Sequence, residues 1–451
     1  MKKIIILSFS VLLNLQITAQ ENLKKCISTS LVEKELISNP DYAKGRANVI
    51  AENKIWIQNN SQEKNTINIP VVVHIVHRSS YTQIGQGNNI SNAQIEDALR
   101  VLNEDYSKTN PEYPNPPRNT FLNYWGNPDM KFCLATTDPD GNPTNGITRT
   151  STTKLSFDAD TESNDMKKAS TLGKDAWPPS NYLNIWVCNL SNAGGGGVTL
   201  GYAYLPGLPN WNAWKDGLVI DYQYFGTIGV ASSSSDGRTA THEIGHYLGL
   251  NHTFAEASWN GQGPCDGPQG TLQCCDNDNG NVDDTPAAKD IYFGNVISST
   301  NNNTCNDLSY ANAFNTDVLD MDENFMAYSN TSWMFTNGQI GVMNATLNGY
   351  RSSLKNSTVS VNCNVSVGTS LNNNQLENLD IYPNPTHGKL NIASADKIIT
   401  LSITNIIGKE ILFIKDFSAN TIDLSSYKNG FYFININTDK GTHIEKIILT
   451  K

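Results

Sequence analysis

Residues 242–252, HEIGHYLGLNH, constrain this chain more than any other stretch, because they hold three of its seven histidines at fixed spacings. If residues 241–248 are helical, His242 and His246 lie four apart on one face, where both imidazoles reach a single ion. Zinc needs each nitrogen within about 2.1 Å. A straight helix would carry His252 about 15 Å past His242, so the chain has to double back. Gly249 has no Cβ and enters the left-handed region that ends helices; residues 250–252 then bring the third imidazole round. Three neutral imidazoles leave a fourth tetrahedral position open to water, and the Glu243 carboxylate stands beside it to take a proton. The window points to zinc-assisted hydrolysis of a peptide bond. A buried amphipathic helix with unrelated histidines would need five residues to coincide by chance.

Residues 1–19 have the layout of an export signal: Lys2 and Lys3, an apolar run over 4–13, then Ala19 before Gln20. The run is too short to span a bilayer and no other segment approaches that length, so a secreted or surface protein without a transmembrane segment is expected. The 451 residues have room for about three domains. A net charge of -11 with 17% charged residues argues against a nucleic-acid surface. Export permits disulfides. Cys265, Cys274, Cys275 and Cys305 fall in a Gly-, Asn- and Asp-rich segment where two bridges are expected. Cys133 and Cys188 lie in the strand-like runs KFCLAT and LNIWVCNL and either pair or stay as buried free thiols.

Residues 20–66 are polar and mixed, with no strong strand pattern. At Ile69 the run IPVVVHIVH opens as a buried strand, with His74 and His77 as core or strand-surface histidines rather than ligands. Ser91 and Gln94 form a capping box ahead of Ile95, Ala98, Leu99, Leu102 and Tyr106 at helical spacing. Strands are expected at 130–135, 182–190, 199–204 and 217–222. AGGGG at 193–197 is a flexible turn, and the strand after it is either a plain hairpin arm or an exposed edge on which an extended peptide pairs. Residues 377–451 alternate in short apolar runs, an all-β sandwich-like module of about seven strands.

The motif HExxHxxGxxH followed by Met326 in NFMAYS is the metzincin pattern of zinc peptidases. THEIGHYLGLNHTF, VDDTP at 282–286 and NFMAYS followed by MFTNGQ resemble the pappalysin family over roughly residues 69–354. The resemblance implies a catalytic domain split by a cleft, with a mixed sheet and helices above and an irregular lower part carrying the Met-turn. It makes Met326 a hydrophobic floor under the metal and Tyr328 either an oxyanion stabiliser or a structural tyrosine. It also implies calcium near VDDTP, where Asp276, Asp278, Asp283 and Asp284 supply hard oxygen ligands unless the loop is simply solvated. Cys26, in KKCISTSLVEKELISNPDY, resembles the cysteine motif of pappalysin-type propeptides. A thiolate on zinc would exclude the catalytic water, which makes Cys26 a latency switch, or else an ordinary disulfide cysteine. Members that cut beside basic residues carry acidic groups behind the Met-turn; Ala327, Asn330 and Thr331 stand there in this chain, which leaves that preference open. Residues 377–451, with YPNP at 382–385 and NGFYF at 429–433, look like a type IX secretion sorting domain, the alternative being an adhesion or carbohydrate-binding sandwich.

The expected organisation is a signal peptide (1–19), a propeptide (20–66), an α+β metzincin-like peptidase domain (67–355), a linker (356–376) and an immunoglobulin-like sorting sandwich (377–451). His242, His246 and His252 are expected to hold zinc, with Glu243 activating its water. The product is a latent endopeptidase acting on proteins or peptides and handled by the type IX machinery. The rival is a surface binding protein on a retained peptidase scaffold, against which Glu243 counts, since a binder needs no base beside the metal.

Overall fold

The computed structural model describes residues 24–60, 66–192, 199–233, 235–254, 275, 282–289, 291–309, 313–363, 379–394, 397–405, 410–438 and 442–451. Residues 1–19, the AGGGG turn, Cys265, Cys274, Asp276 and Asp278 lie outside the described residues. The chain divides into two compact units, Met1–Val365 and Ser366–Lys451.

The first unit begins with β1 (Lys24–Cys26), α1 (Ser28–Ser38), α2 (Pro40–Asn59), β2 (Ile67–Arg78) and α3 (Asn92–Tyr106). Strands β3 (Met130–Ala135), β4 (Ile147–Thr152), β5 (Phe157–Asp158), β6 (Leu183–Cys188), β7 (Leu190–Ser191), β8 (Thr199–Ala203) and β9 (Leu218–Asp221) follow. Helices α4 (Thr239–Tyr247), α5 (Asn337–Asn348) and α6 (Ser352–Lys355) and strand β10 (Val361–Asn362) complete it. Eight strands form one mixed sheet in the order β1-β8-β9-β6-β2-β3-β10, with β4 also on β2. The apolar run of β2 is buried along nearly its whole length, as expected for a strand covered on both faces. It pairs with β3 over residues 67–71 and with β4 over 73–78. His74 is buried within it, with Nδ1 2.7 Å from Thr148 Oγ1 and Nε2 2.9 Å from Asn184 Oδ1. Burial lowers its pKa to about 4, so it is a neutral core histidine.

Helix α3 packs Ile95, Leu99, Leu102 and Tyr106 fully buried against this sheet, worth about 1.5–3 kcal/mol for each large side chain. Its capping box is only half formed. The Ser91 hydroxyl accepts the Gln94 N–H at 3.1 Å. The Gln94 amide, instead of returning to Ser91, donates to the carbonyls of Tyr222 and Phe225 and accepts from Val230 N–H. A buried amide with three loop partners satisfies more groups than a reciprocal cap. Tyr106 Oη donates to the Thr241 carbonyl and Thr241 Oγ1 to Asp105, tying α3 to α4.

Cys133 and Cys188 do not pair. They sit on β3 and β6, which flank β2 on opposite sides, and Cys133 is level with Pro70 of β2 whereas Cys188 follows Val187, level with Ile75; six residues of register are about 20 Å along the strands, beyond the reach of a disulfide. Cys133 instead bridges to Cys363, beyond β10, and Cys188 is a buried free thiol. The chain therefore stays with the sheet through Cys363, past the start expected for the linker. Of the two bridges expected among the later cysteines, Cys275–Cys305 is present.

Residues 20–66 carry more structure than their composition suggests. Asn39 caps α2 by accepting the Tyr42 N–H, with Pro40 at the first helical position. Tyr42, Arg46, Val49 and Asn53 form its buried stripe. β1 adds to the sheet edge in parallel with β8, Lys24 opposite Thr199 and Cys26 opposite Gly201.

The second unit is all antiparallel. β11 (Leu379–Tyr382), β12 (Lys389–Ser394), β13 (Ile398–Asn405), β14 (Glu410–Lys415), β15 (Thr421–Asp423), β16 (Gly430–Thr438) and β17 (Thr442–Leu449) form two sheets, β11-β12-β15 and β14-β13-β16-β17. Alternation on β16 turns Tyr432, Ile434 and Ile436 inward onto Leu390, Leu401, Ile403 and Ile447.

Candidate active site

The sharp end of α4 sets the site. Leu250 N–H bonds to the Gly245 carbonyl and Gly249 N–H to the His246 carbonyl, both at 2.9 Å, the paired bonds of a Schellman turn. Gly249 holds φ +103° there, a conformation that side chains make costly. The reversal returns His252 to the helix face that carries His242 and His246. His252 Nε2 lies 3.1 Å from both His242 Nε2 and His246 Nε2.

Those short nitrogen contacts are not hydrogen bonds among the three rings. His242 Nδ1 faces the Phe325 carbonyl at 2.7 Å and His246 Nδ1 the Leu250 carbonyl at 2.8 Å. Carbonyls only accept, so both Nδ1 atoms carry the protons and both Nε2 lone pairs face inward. Converging lone pairs repel unless a cation lies among them, and imidazole nitrogens suit zinc. Burial, reinforced by the other two histidines, holds His246 well below its ordinary pKa and so keeps it neutral, the form that can bind a metal. Cys26 Sγ joins the cluster. The four donor atoms lie within 4.8 Å of one another, and among the described residues this is the one such group of His, Cys, Asp and Glu.

Glu243, fully buried, points to the same place. Its Oε2 accepts from the Cys26 thiol at 3.5 Å and the Ser28 hydroxyl at 3.1 Å, while Oε1 is buried with no partner among the described residues. Burial raises its pKa to about 8 against those hydrogen bonds. Burial and the neighbouring Glu243 likewise push the Cys26 thiol up. Ser28 Oγ also accepts the Ala203 N–H of β8 at 2.9 Å, and Thr29 Oγ1 is 3.5 Å from His252 Nδ1. Ser28 and Thr29 carry no sequence signal of this role, since their partners lie more than 170 residues away.

Below the histidines, Met326 is fully buried under α4. A Cβ at Gly245 would come within 2.3 Å of its sulfur, so only glycine allows the thioether so close to the helix. The turn is locked from two sides. Asn324 and Gln339 exchange amide hydrogen bonds at 2.8 and 3.0 Å, and Gln339 with Thr336 forms a complete capping box on α5. Arg118 forks onto buried Glu323 and donates to the Asp320 and Thr300 carbonyls. Tyr328 packs against the His242 and His252 rings, and its hydroxyl donates to the Cys26 carbonyl at 3.2 Å.

Of the aspartates expected near calcium, Asp284 directs its two oxygens to Thr336 Oγ1 and Gly338 N–H at the start of α5. It acts as a helix cap there. Asp283 is exposed.

Residues 165–348 match the family described as pregnancy-associated plasma protein-A, and residues 380–450 match the secretion system C-terminal sorting domain. An extracellular metalloprotease of Pyricularia oryzae is 29% identical over 293 residues, 64% of this chain and 77% of that protein. A mutant of Tannerella forsythia promirolysin aligns over 74% of this chain and 97% of its own at 32% identity, with TM-score 0.55. Mature mirolysin of Tannerella forsythia in complex with a cleaved peptide aligns over 65% of this chain and 97% of its own at 36% identity, with TM-score 0.51.

Proposed function

This chain belongs to the pappalysin family of metallopeptidases and is a secreted zinc metalloendopeptidase with a type IX sorting tail, and on that premise we propose that it is made as a latent zymogen in which Glu243 is the catalytic base. The observation that carries this is the convergence of Cys26 Sγ with the three histidines.

His242, His246 and His252 would hold the metal. Zinc bound there would supply a Lewis acid for the attacking water and the scissile carbonyl. Glu243 takes the proton of the attacking water and hands it to the leaving amine. Tyr328 Oη, which meets a backbone carbonyl in the precursor, would meet the substrate carbonyl as it becomes an oxyanion. Protein or peptide substrates pair along β8 once β1 has left that edge.

Each of these groups is occupied by the N-terminal segment: the ligand cluster by Cys26, Glu243 and the β8 amide by Ser28, and Tyr328 by the Cys26 carbonyl. The promirolysin structure aligns over more of this chain than the mature mirolysin structure, 74% against 65%, which supports a precursor of the same plan. We also assign residues 1–19 as signal peptide, 20–66 as propeptide and the C-terminal unit as the sorting module read by the type IX machinery. A calcium ion beside residues 282–286 is proposed as a structural ligand. Its measurement is the Tm of zinc-loaded protein with and without added calcium, and an unchanged Tm removes it.

The central test is peptide cleavage by the processed protein and by Glu243→Gln, with and without a zinc chelator, alongside metal analysis. Loss of cutting in both arms with one zinc per chain is expected. Cutting that survives either arm overturns the assignment.

A further inference from the structure

A cleft of about 280 Å³ opens beside His242 and Glu243. Leu200 of β8, Thr239 of α4, and Ala327, Ser329 and Ser332 after the Met-turn form much of its wall. Its place against the catalytic pair means that a residue flanking the cut puts its side chain there. Among the described residues, two charged residues besides His242 and Glu243 reach the cleft, Arg238 and Asp236.

Neither offers a buried counter-charge. Arg238 forks onto Glu112 at 3.0 and 2.7 Å, has Nε 3.5 Å from Asp105 Oδ1, and lies over the Phe325 ring. Its guanidinium is already matched by carboxylates. Asp236 is exposed, and its Oδ1 accepts the Arg238 N–H at 3.0 Å, so solvent screens its pull on a bound cation. Among the described residues the wall behind the Met-turn is uncharged, with Ser329 and Ser332 both buried. An entering carboxylate would have to displace Glu112 from Arg238, and an entering ammonium or guanidinium would sit beside Arg238 without a buried partner. A charge desolvated without a partner is strongly disfavoured, whereas an uncharged side chain leaves none unpaired.

We propose that this cleft selects uncharged side chains at one position flanking the scissile bond, with Ser332 a specificity-determining residue in its wall. This rests on the peptidase reading above and deepens it with a substrate class.

The test is to digest a mixed peptide library with protein processed from the full chain, reading cut sites by mass spectrometry. Lys, Arg, Asp and Glu should be depleted at one flanking position by about tenfold or more, a discrimination ordinary for buried polar mismatches. Ser332→Asp should raise Lys and Arg at that same position by a similar factor. Ala327→Asp repeats the test on the half-exposed part of the wall if the buried substitution does not fold. Binding is read separately on the inactive Glu243→Gln background, with fluorescent peptides that differ only at the flanking residue. A wild-type preference for Lys or Arg there overturns the inference, as does a charge preference that neither aspartate shifts. If no cutting occurs at all, the peptidase reading fails, while binding on the Glu243→Gln background still decides the selectivity.

Discussion

The N-terminal segment, proposed to leave the enzyme, and the C-terminal unit, proposed to be read by the secretion machinery, are built in opposite ways. The C-terminal sandwich has its own core, with Leu390, Leu401, Ile403, Ile434, Ile436 and Ile447 buried among themselves. Among its described residues the N-terminal segment has none. Ile27, Leu31 and Tyr42 are buried among Trp186, Tyr202 and Leu208 of the catalytic unit, and Cys26 among Phe254 and Tyr328. Tyr42 Oη donates to the Leu205 carbonyl, Arg46 to Pro206 and Asn53 to Thr346 on α5. A module with its own interior can depart and leave its neighbour unchanged. A segment whose interior is the enzyme's interior alters the enzyme when it goes.

The largest effect that could break this contrast is on activity. Removing residues up to 66 should raise peptide cleavage by about a hundredfold or more, as expected for an inhibitor held at intramolecular concentration. Removing the sandwich should change it less than about twofold. Equal effects of the two truncations would end the distinction. Glu243→Gln in the processed protein should lower kcat by about 10²–10⁴-fold whether or not the sandwich is present.

Next comes latency within the segment. Cys26→Ala should leak activity but stop short of the processed level, because Ser28 still engages Glu243 and the β8 amide. Cys26→Ala with Ser28→Ala should leak several-fold more. If the single Cys26 variant is already as active as processed protein, the serine contributes nothing.

Stability gives a smaller separation. Tyr42→Ala empties a fully buried aromatic site and should destabilise the precursor by about 3–5 kcal/mol. Ile434→Ala should cost about 2–5 kcal/mol in the sandwich alone. Calorimetry should show each substitution moving its own transition; a common shift would mean that the units unfold together.

The smallest effect is on pH dependence. Burial lowers Lys167 to a pKa of about 7, and its Nζ is held by the Lys215 carbonyl among the rings of Trp186, Tyr202 and Tyr204. A group depressed on folding gives full stability above its unfolded pKa, near 10.4, and loses it as pH falls toward 7. Lys167→Met should therefore raise the catalytic transition at pH 7, with the gain shrinking toward pH 10, and leave the sandwich transition unmoved. A gain independent of pH would show that lysine ionisation has no part in it.

The zinc helix and its reversal at Gly249 could be read from the sequence because each depends on residues within a few turns of chain, and the Met-turn only through its resemblance to a family motif. Five strands of the catalytic sheet, β2, β3, β6, β8 and β9, could be read for the same reason, through runs such as residues 69–77, whereas the short β1 and β10 and the polar β4 carry too weak an apolar pattern. Helix α2 could not. Its buried stripe is Tyr42, Arg46, Val49 and Asn53, at helical spacing but half polar, so the hydrophobic pattern is too weak to mark it. The Ser28 contacts, the Asn324–Gln339 amide pair and the Cys133–Cys363 bridge join positions that only the folded sheet brings together. Gln94 looked like a cap and became a loop anchor because tertiary partners outnumber the local one.

The parallel seat of β1 on β8 matters beyond inhibition. An unpaired sheet edge is a template for aggregation, and a precursor bound for export passes through crowded compartments before it meets any substrate. With β1 in place that edge is closed throughout the journey. On the proposed latency, the mature enzyme would gain a sticky border only when the peptides that can fill it are at hand, so the same three residues would act as a travelling cover for the sheet as well as a brake on its chemistry.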